Sequence, residues 1–166
     1  MTRICIAIAD AARARLYTFE QLAEPTGAAQ ELRECVDLID PDRRLRPSEL
    51  FSDTRPGSDR APSGRGYGLS DRRDAHIDEF DRRFAAEIVA RLTELVREHG
   101  CRRVIVAASP RMLGHLRRER ASLYDGGLAI DEVDRDLTHL GSAQIHDLLA
   151  DRGLLPVRAR AAAPPP

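Results

Sequence analysis

The chain lacks lysine and asparagine altogether, so all 26 basic residues of its 166 are arginine. Any surface that needs a long flexible cation must be built from guanidinium groups, which bind phosphate in planar, bidentate fashion. Tryptophan is also absent and aromatics make up only 4%. The core must therefore be aliphatic. There is no charge excess: the formal net charge is -1, which excludes a global pull on nucleic acid or membrane and leaves room only for a local patch. No apolar run approaches the ~18 residues of a membrane span, and the opening MTRICIAIAD is too short for a secretory h-region. The expectation is a cytoplasmic protein without a membrane partner. Cys5, Cys35 and Cys101 stand alone, without a CxxC pair or a histidine at ligand spacing, so they read as small buried hydrophobes rather than zinc ligands. GxSxG, HxxxH and GK[ST] are missing too, which removes the hydrolase elbow, the two-histidine metal helix and the P-loop. No catalytic residue, metal ligand or cofactor is assigned.

What remains is a patterned α/β chain of a size suited to one domain. Arg3 to Ala9 is rich in Ile and Ala and reads as a central strand, with Ala14 to Phe19 as its hairpin partner. Gln30 to Ile39 reads as a third strand, ended by Asp40-Pro41, and Pro47 to Phe51 as a single helical turn. From Asp71 to His99, Ile77, Phe80, Phe84, Ile88, Leu92 and Leu95 recur at spacings of three and four, the stripe of a long amphipathic helix stopped by Gly100. Its other face offers Asp78–Arg82, Glu79–Arg83 and Glu87–Arg91 pairs. Arg103 to Ala108 is a buried, parallel strand; Ser109-Pro110 caps a helix to about Arg118; Leu128 to Val133 is a last strand; and Gly141-Ser142 opens a last helix. The pattern implies a mixed sheet in which a three-strand antiparallel meander feeds a β-α-β unit, with helices packed against it, as RNase-H-like domains begin. The domain spans 1–155 and a tail at 156–166 reads as disordered.

One stretch has no periodicity. Residues 52–75 (SDTRPGSDRAPSGRGYGLSDRRDA) hold four glycines and the arginines Arg55, Arg60, Arg65, Arg72 and Arg73. A loop this long inside a domain is either functional or mobile. Gly64-Arg65-Gly66-Tyr67-Gly68 is its densest cluster, with backbone able to approach a ligand closely and one aromatic to stack. Asp53, Asp59, Asp71 and Asp74 nearly cancel the charge. Elsewhere, Asp10, Asp131, Asp134 and Asp136 fall near strand ends, where a carboxylate cluster holds Mg²⁺ in metal-dependent nucleases; solvation is the commoner role. Asp134 to Leu140 (DRDLTHL) reads as a fixed connection rather than an acid–base site.

Three blocks, DTRPGSDRAPSGRGYGLSDRRDAHIDEFDRRFAAEI, RVIVAASPRMLGHLR and EVDRDLTHLGSAQIHDLL, together with ARARLYTF, resemble the bacterial host attachment family. That family is similar to the middle domain of archaeo-eukaryotic peptide release factors, an RNase-H-like domain. There a Gly-Gly-Gln loop ahead of a long helix promotes hydrolysis of peptidyl-tRNA. The resemblance places Gly64 to Gly68 in the position of that loop. If Gly66, Tyr67 and Gly68 stand for the tripeptide, the glutamine is missing. The resemblance thus implies a loop that binds and does not hydrolyse. Its contacts would be Arg55, Arg60, Gly64, Arg65, Gly66, Tyr67, Gly68, Arg72 and Arg73, and its partner the ribosome or tRNA. The alternatives are a module that acts through a protein partner and, more remotely, a metal-dependent nuclease or hydrolase.

Overall fold

The computed structural model describes residues 2–21, 32–44, 68–120 and 127–158. In chain order the elements are β1 (Thr2–Ala9), β2 (Arg13–Gln21), β3 (Arg33–Ile39), α1 (Pro41–Arg44), α2 (Gly68–His99), β4 (Arg103–Ala108), α3 (Pro110–Glu119), β5 (Ala129–Asp134) and α4 (Ser142–Asp151). The strands form one mixed sheet in the order β3-β2-β1-β4-β5. β1 pairs antiparallel with β2, β2 antiparallel with β3, and β1, β4 and β5 run parallel. This is the RNase-H-like mixed sheet expected from the sequence, with the meander on one side and the β-α-β unit on the other.

The alternation in β1 decides what covers each face. Cys5, Ala7 and Ala9 point to one side, with Leu16, Val104, Val106, Phe84, Ile88 and Leu92. Ile4, Ile6 and Ile8 point to the other, with Tyr17, Phe19, Ile105, Val133, Ile145 and Leu149. Small residues on the first face let α2 and α3 approach closely; the isoleucines on the second fill the space under the shorter α4. The β1–β2 turn is closed by Asp10, whose Oδ1 accepts from the amides of Ala12 (2.6 Å) and Arg13 (2.7 Å). α2 ends in a Schellman motif: Gly100 has φ 61°, its amide reaches the Arg97 carbonyl at 3.4 Å, and the Cys101 amide reaches the Val96 carbonyl at 3.0 Å. α3 starts as its Ser109-Pro110 sequence predicts, with the Ser109 hydroxyl accepting from the Met112 amide.

Three details depart from expectation. Asp40-Pro41 does end β3, but it also starts α1: the Asp40 carboxylate accepts from the Asp42 amide at 3.0 Å and Pro41 takes the first helical position. The helical turn expected over 47–51 lies outside the described residues. Cys35 is exposed on the edge strand β3, beside the Thr18 hydroxyl, whereas Cys5 and Cys101 are buried. On α2, Glu79–Arg83 forms at 3.8 Å, but Asp78 turns to α3, Arg82 pairs with Glu79 at 2.9 Å, and Arg91 pairs with Glu94 at 2.8 Å.

Candidate functional site

The carboxyl ends of β1, β4 and β5 share one edge of the sheet, where crevices outside open α/β sheets bind ligands. β3 ends there too, because Arg13 pairs with Ile39 and the Asp40 amide donates to the Ala12 carbonyl at 2.9 Å. From this edge α1 leads out to Arg44, and the chain re-enters the described structure at Gly68, the first residue of α2. Of the residues read from the sequence as a binding loop, Arg55, Arg60, Gly64, Arg65, Gly66 and Tyr67 lie outside the described residues. Gly68, Arg72 and Arg73 fall in the opening turns of α2.

α2 is level with the edge at Asp78 to Asp81, where it meets α1 and the start of α3. At about 1.5 Å per residue, the turns from Gly68 to Ile77 reach roughly 15 Å further along the axis. Asp74, Ala75 and His76 are exposed and Ile77 is half-buried; complete burial begins at Asp81 and runs through Phe84, Ala85, Ile88 and Leu92. After Gly68 the helix contains neither glycine nor proline. It is thus a continuous arm whose first turns, Arg72 and Arg73 among them, run past the described part of the body.

The arm is fixed at its base by charge. Asp81, 1% exposed, sits on the apolar stripe of α2. An isolated buried carboxylate is strongly unfavourable, and two guanidinium groups offset it. Arg43 of α1 donates to Oδ1 at 2.5 Å, and Arg111 of α3 brings Nε to 2.9 Å from Oδ2, in ion-pair contact without hydrogen-bond alignment. Asp78 completes the group, 3.7 Å from Arg111 and 3.3 Å from Nε2 of buried His115. This explains why Asp78 abandons its own helix's Arg82. Asp40, at the start of α1, is also buried, and desolvation pushes its carboxyl above the usual range.

The strand-end carboxylates are divided rather than pooled. Asp10 and Asp136 meet across Thr138, whose hydroxyl lies 2.9 Å from Asp10 and 2.6 Å from Asp136. The Thr138 amide also donates to Asp136 at 2.9 Å. These oxygens are occupied in closing turns. Asp131 is held by Arg103 at 2.7 Å, and Asp134 is exposed at the end of β5. Among the described residues, no three His, Cys, Asp or Glu side chains converge to hold a metal ion. The connection after β5 is fixed, as its sequence predicts. Leu137 is buried, and Arg15 reaches from β2 to the Leu140 carbonyl at 2.7 Å while forking onto Glu34. The Arg15 guanidinium draws Glu34 below the usual carboxylate range. It also lies 5.3 Å from the ring centroid of Tyr17, whose hydroxyl burial pushes up to about 12. His139 is exposed. Past α4, the Pro156 carbonyl contacts buried His146 at 2.9 Å and Arg158 pairs with Asp147 at 2.9 Å.

Asp81 escaped the sequence reading, yet it left a signal: it falls four residues after Ile77 and three before Phe84, on the stripe itself. Arg15 left none, since its partners at 138–140 are more than 120 residues away.

No helix among the described residues is long and apolar enough to cross a membrane. No curated protein matches the chain. Among solved structures, the type II variant of the Ppx/GppA phosphatase from Aquifex aeolicus is similar at a TM-score of 0.38 and 12% identity, over 80% of this chain and 36% of that one. Residues 5–149, nearly the whole described body, match the family described as "Protein required for attachment to host cells". The chain belongs to that host attachment family.

Proposed function

We propose that the protein binds RNA, either tRNA or the ribosome, through the arginine- and glycine-rich loop carried at the tip of α2, and that its effect on attachment is indirect. The observation that carries this reading is the arm: α2 continues roughly 20 Å beyond its anchorage at Asp81 with Gly68, Arg72 and Arg73 on its first turns. A rigid projection bearing guanidinium groups suits a partner that is itself deep or grooved. Arg55, Arg60, Arg65, Arg72 and Arg73 would meet phosphates bidentately, and Tyr67 would stack on an unpaired base. The aspartates of the same stretch keep net attraction small, so affinity would come from placed contacts more than from bulk charge.

Binding without hydrolysis fits the residues better than catalysis. Gly66-Tyr67-Gly68 carries no glutamine where release-factor middle domains do, and the described strand-end carboxylates Asp10, Asp131 and Asp136 are engaged in turns and an ion pair. The similarity to release factors is part of this proposal.

A protein partner is the second reading, favoured by the near balance of arginine and aspartate in the loop. Deleting Arg55 to Leu69 separates the two. On the RNA reading the shortened protein keeps its circular dichroism spectrum and no longer co-sediments with ribosomes. On the protein reading, ribosome sedimentation is absent from the start and a pulldown partner is lost.

A further inference from the structure

Cys5 lies within the central strand and Cys101 directly follows the glycine that ends α2, 96 positions away in sequence. Both are free thiols, and both are buried against the same core. Their sulfurs stand 2.8 Å apart, with the Cys5 thiol directed at Cys101. A disulfide needs about 2.05 Å, so the two sulfurs would close by less than about 1 Å to bond. The two are not equivalent. Cys5 is fully enclosed, whereas Cys101 keeps 7% exposure at the α2–β4 connection. The Cys5 thiol and the nearby Arg3 guanidinium hold Cys101 below the usual thiol range, while the shared hydrogen bond and burial push Cys5 above it. Cys35 is exposed on β3, its sulfur 3.4 Å from the hydroxyl of Thr18, the residue that pairs with Cys5 across β1 and β2.

We propose that Cys5 and Cys101 are a peroxide-responsive pair that closes to an intramolecular disulfide. Cys101 reacts first, as the more exposed and the more readily ionised thiol. Its thiolate attacks one peroxide oxygen, the O–O bond breaks, and hydroxide leaves as Cys101 becomes a sulfenic acid. That hydroxide takes the proton of Cys5. The Cys5 thiolate then attacks the Cys101 sulfur, the S–O bond breaks, and the departing hydroxide takes up a proton to become water. Two thiols and one hydrogen peroxide give one disulfide and two waters, with two electrons passing from sulfur to oxygen. The bond would fasten the C-terminal end of α2, opposite the arm, to the central strand and close a long loop, which stabilises chiefly by restricting the unfolded chain.

The test uses the full chain carrying Cys35→Ser, so that the exposed thiol cannot crosslink molecules. The folded protein is treated with a small excess of hydrogen peroxide, alkylated under denaturing conditions, digested and mapped by mass spectrometry. The expected product is a Cys5–Cys101 linked peptide, lighter by two hydrogens than the sum of its halves. The thermal midpoint should rise by roughly 10 °C and return on reduction with dithiothreitol. Adding Cys5→Ser should abolish both the linked peptide and the rise, leaving oxygen adducts on Cys101. Recovery of both thiols fully alkylated, or of Cys101 sulfinic acid beside free Cys5, overturns the proposal. So does a midpoint rise that survives Cys5→Ser.

Discussion

From Asp81 to Leu95, α2 lies against the sheet and buries every third or fourth side chain; from Gly68 to Ile77 the same helix carries none of its described side chains fully inside. The first region is held by packing: Phe84, Ile88 and Leu92 fill the space above the small residues of β1. The second is held chiefly by its unbroken backbone ladder, with Ile77 half-buried and the His76 ring 6.5 Å from that of Phe80. The contrast teaches that the stretch of this helix from Asp81 onward is held by the fold, whereas the first third is not needed to complete the described core. The boundary is drawn by one buried carboxylate, Asp81, which ties α1, α2 and α3 together where the helix leaves the body.

Substitutions that respect this boundary should separate stability from binding. The largest expected effect is Ile88→Ala, which deletes a completely buried side chain between α2 and the sheet. Urea unfolding should report a loss of about 3 kcal/mol; a loss under about 1 kcal/mol would mean that the docked half is not packed as described. Asp81→Asn keeps the shape but removes the charge that Arg43 and Arg111 share. A loss of about 1–2 kcal/mol is expected by the same measurement. Asp81→Leu tests whether the charge or merely the filled volume matters: equal stability with leucine would remove the carboxylate's role as anchor.

Acid sensitivity should come from outside the arm. Arg15 lowers Glu34, and Arg117 with Arg120 lowers Glu132. A carboxyl lowered on folding contributes stability that is present above the ordinary glutamate value and is lost as pH falls through the lowered one. Asp40 has the opposite sign: raised by burial, it favours the folded state at low pH and loses that contribution as pH rises through the window above the ordinary aspartate range. Stability should therefore decline as pH falls below about 4.5, the ordinary glutamate value. Glu34→Gln should flatten that decline, and Asp40→Asn should steepen it. Unfolding midpoints between pH 3 and pH 6, on the order of this window, check both signs. The smallest effect on stability is expected in the projecting turns. Arg72→Ala and Arg73→Ala should each shift unfolding by no more than about 0.5 kcal/mol.

The sheet was legible because its signals are local. ICIAIA in β1 alternates large and small and thereby assigns a face to each neighbour, and RVIVAA has the continuous apolar run of a parallel strand buried on both sides. Asp40-Pro41 carried the same cap-and-proline signature as Ser109-Pro110, but only the latter was read as a helix start, because four residues give α1 no periodicity of their own. The ion pairs of α2 were half legible. Glu79–Arg83 follows from spacing, whereas Asp78 and Asp81 are claimed by Arg111, His115 and Arg43 on other elements, which no spacing rule reaches. Of the candidate binding residues, only Gly68, Arg72 and Arg73 fall on a described element, so that part of the site still rests on composition.

The most direct test of the central claim is ribosome and tRNA binding across a salt series, for the full chain and for the Arg72→Ala/Arg73→Ala double variant. The account predicts binding that weakens as salt rises and a slope of log affinity against log salt that is shallower by about two in the variant, one unit per lost phosphate contact. The variant's unfolding curve should be unchanged. Absence of binding, binding indifferent to salt, or identical slopes for the two proteins would contradict it.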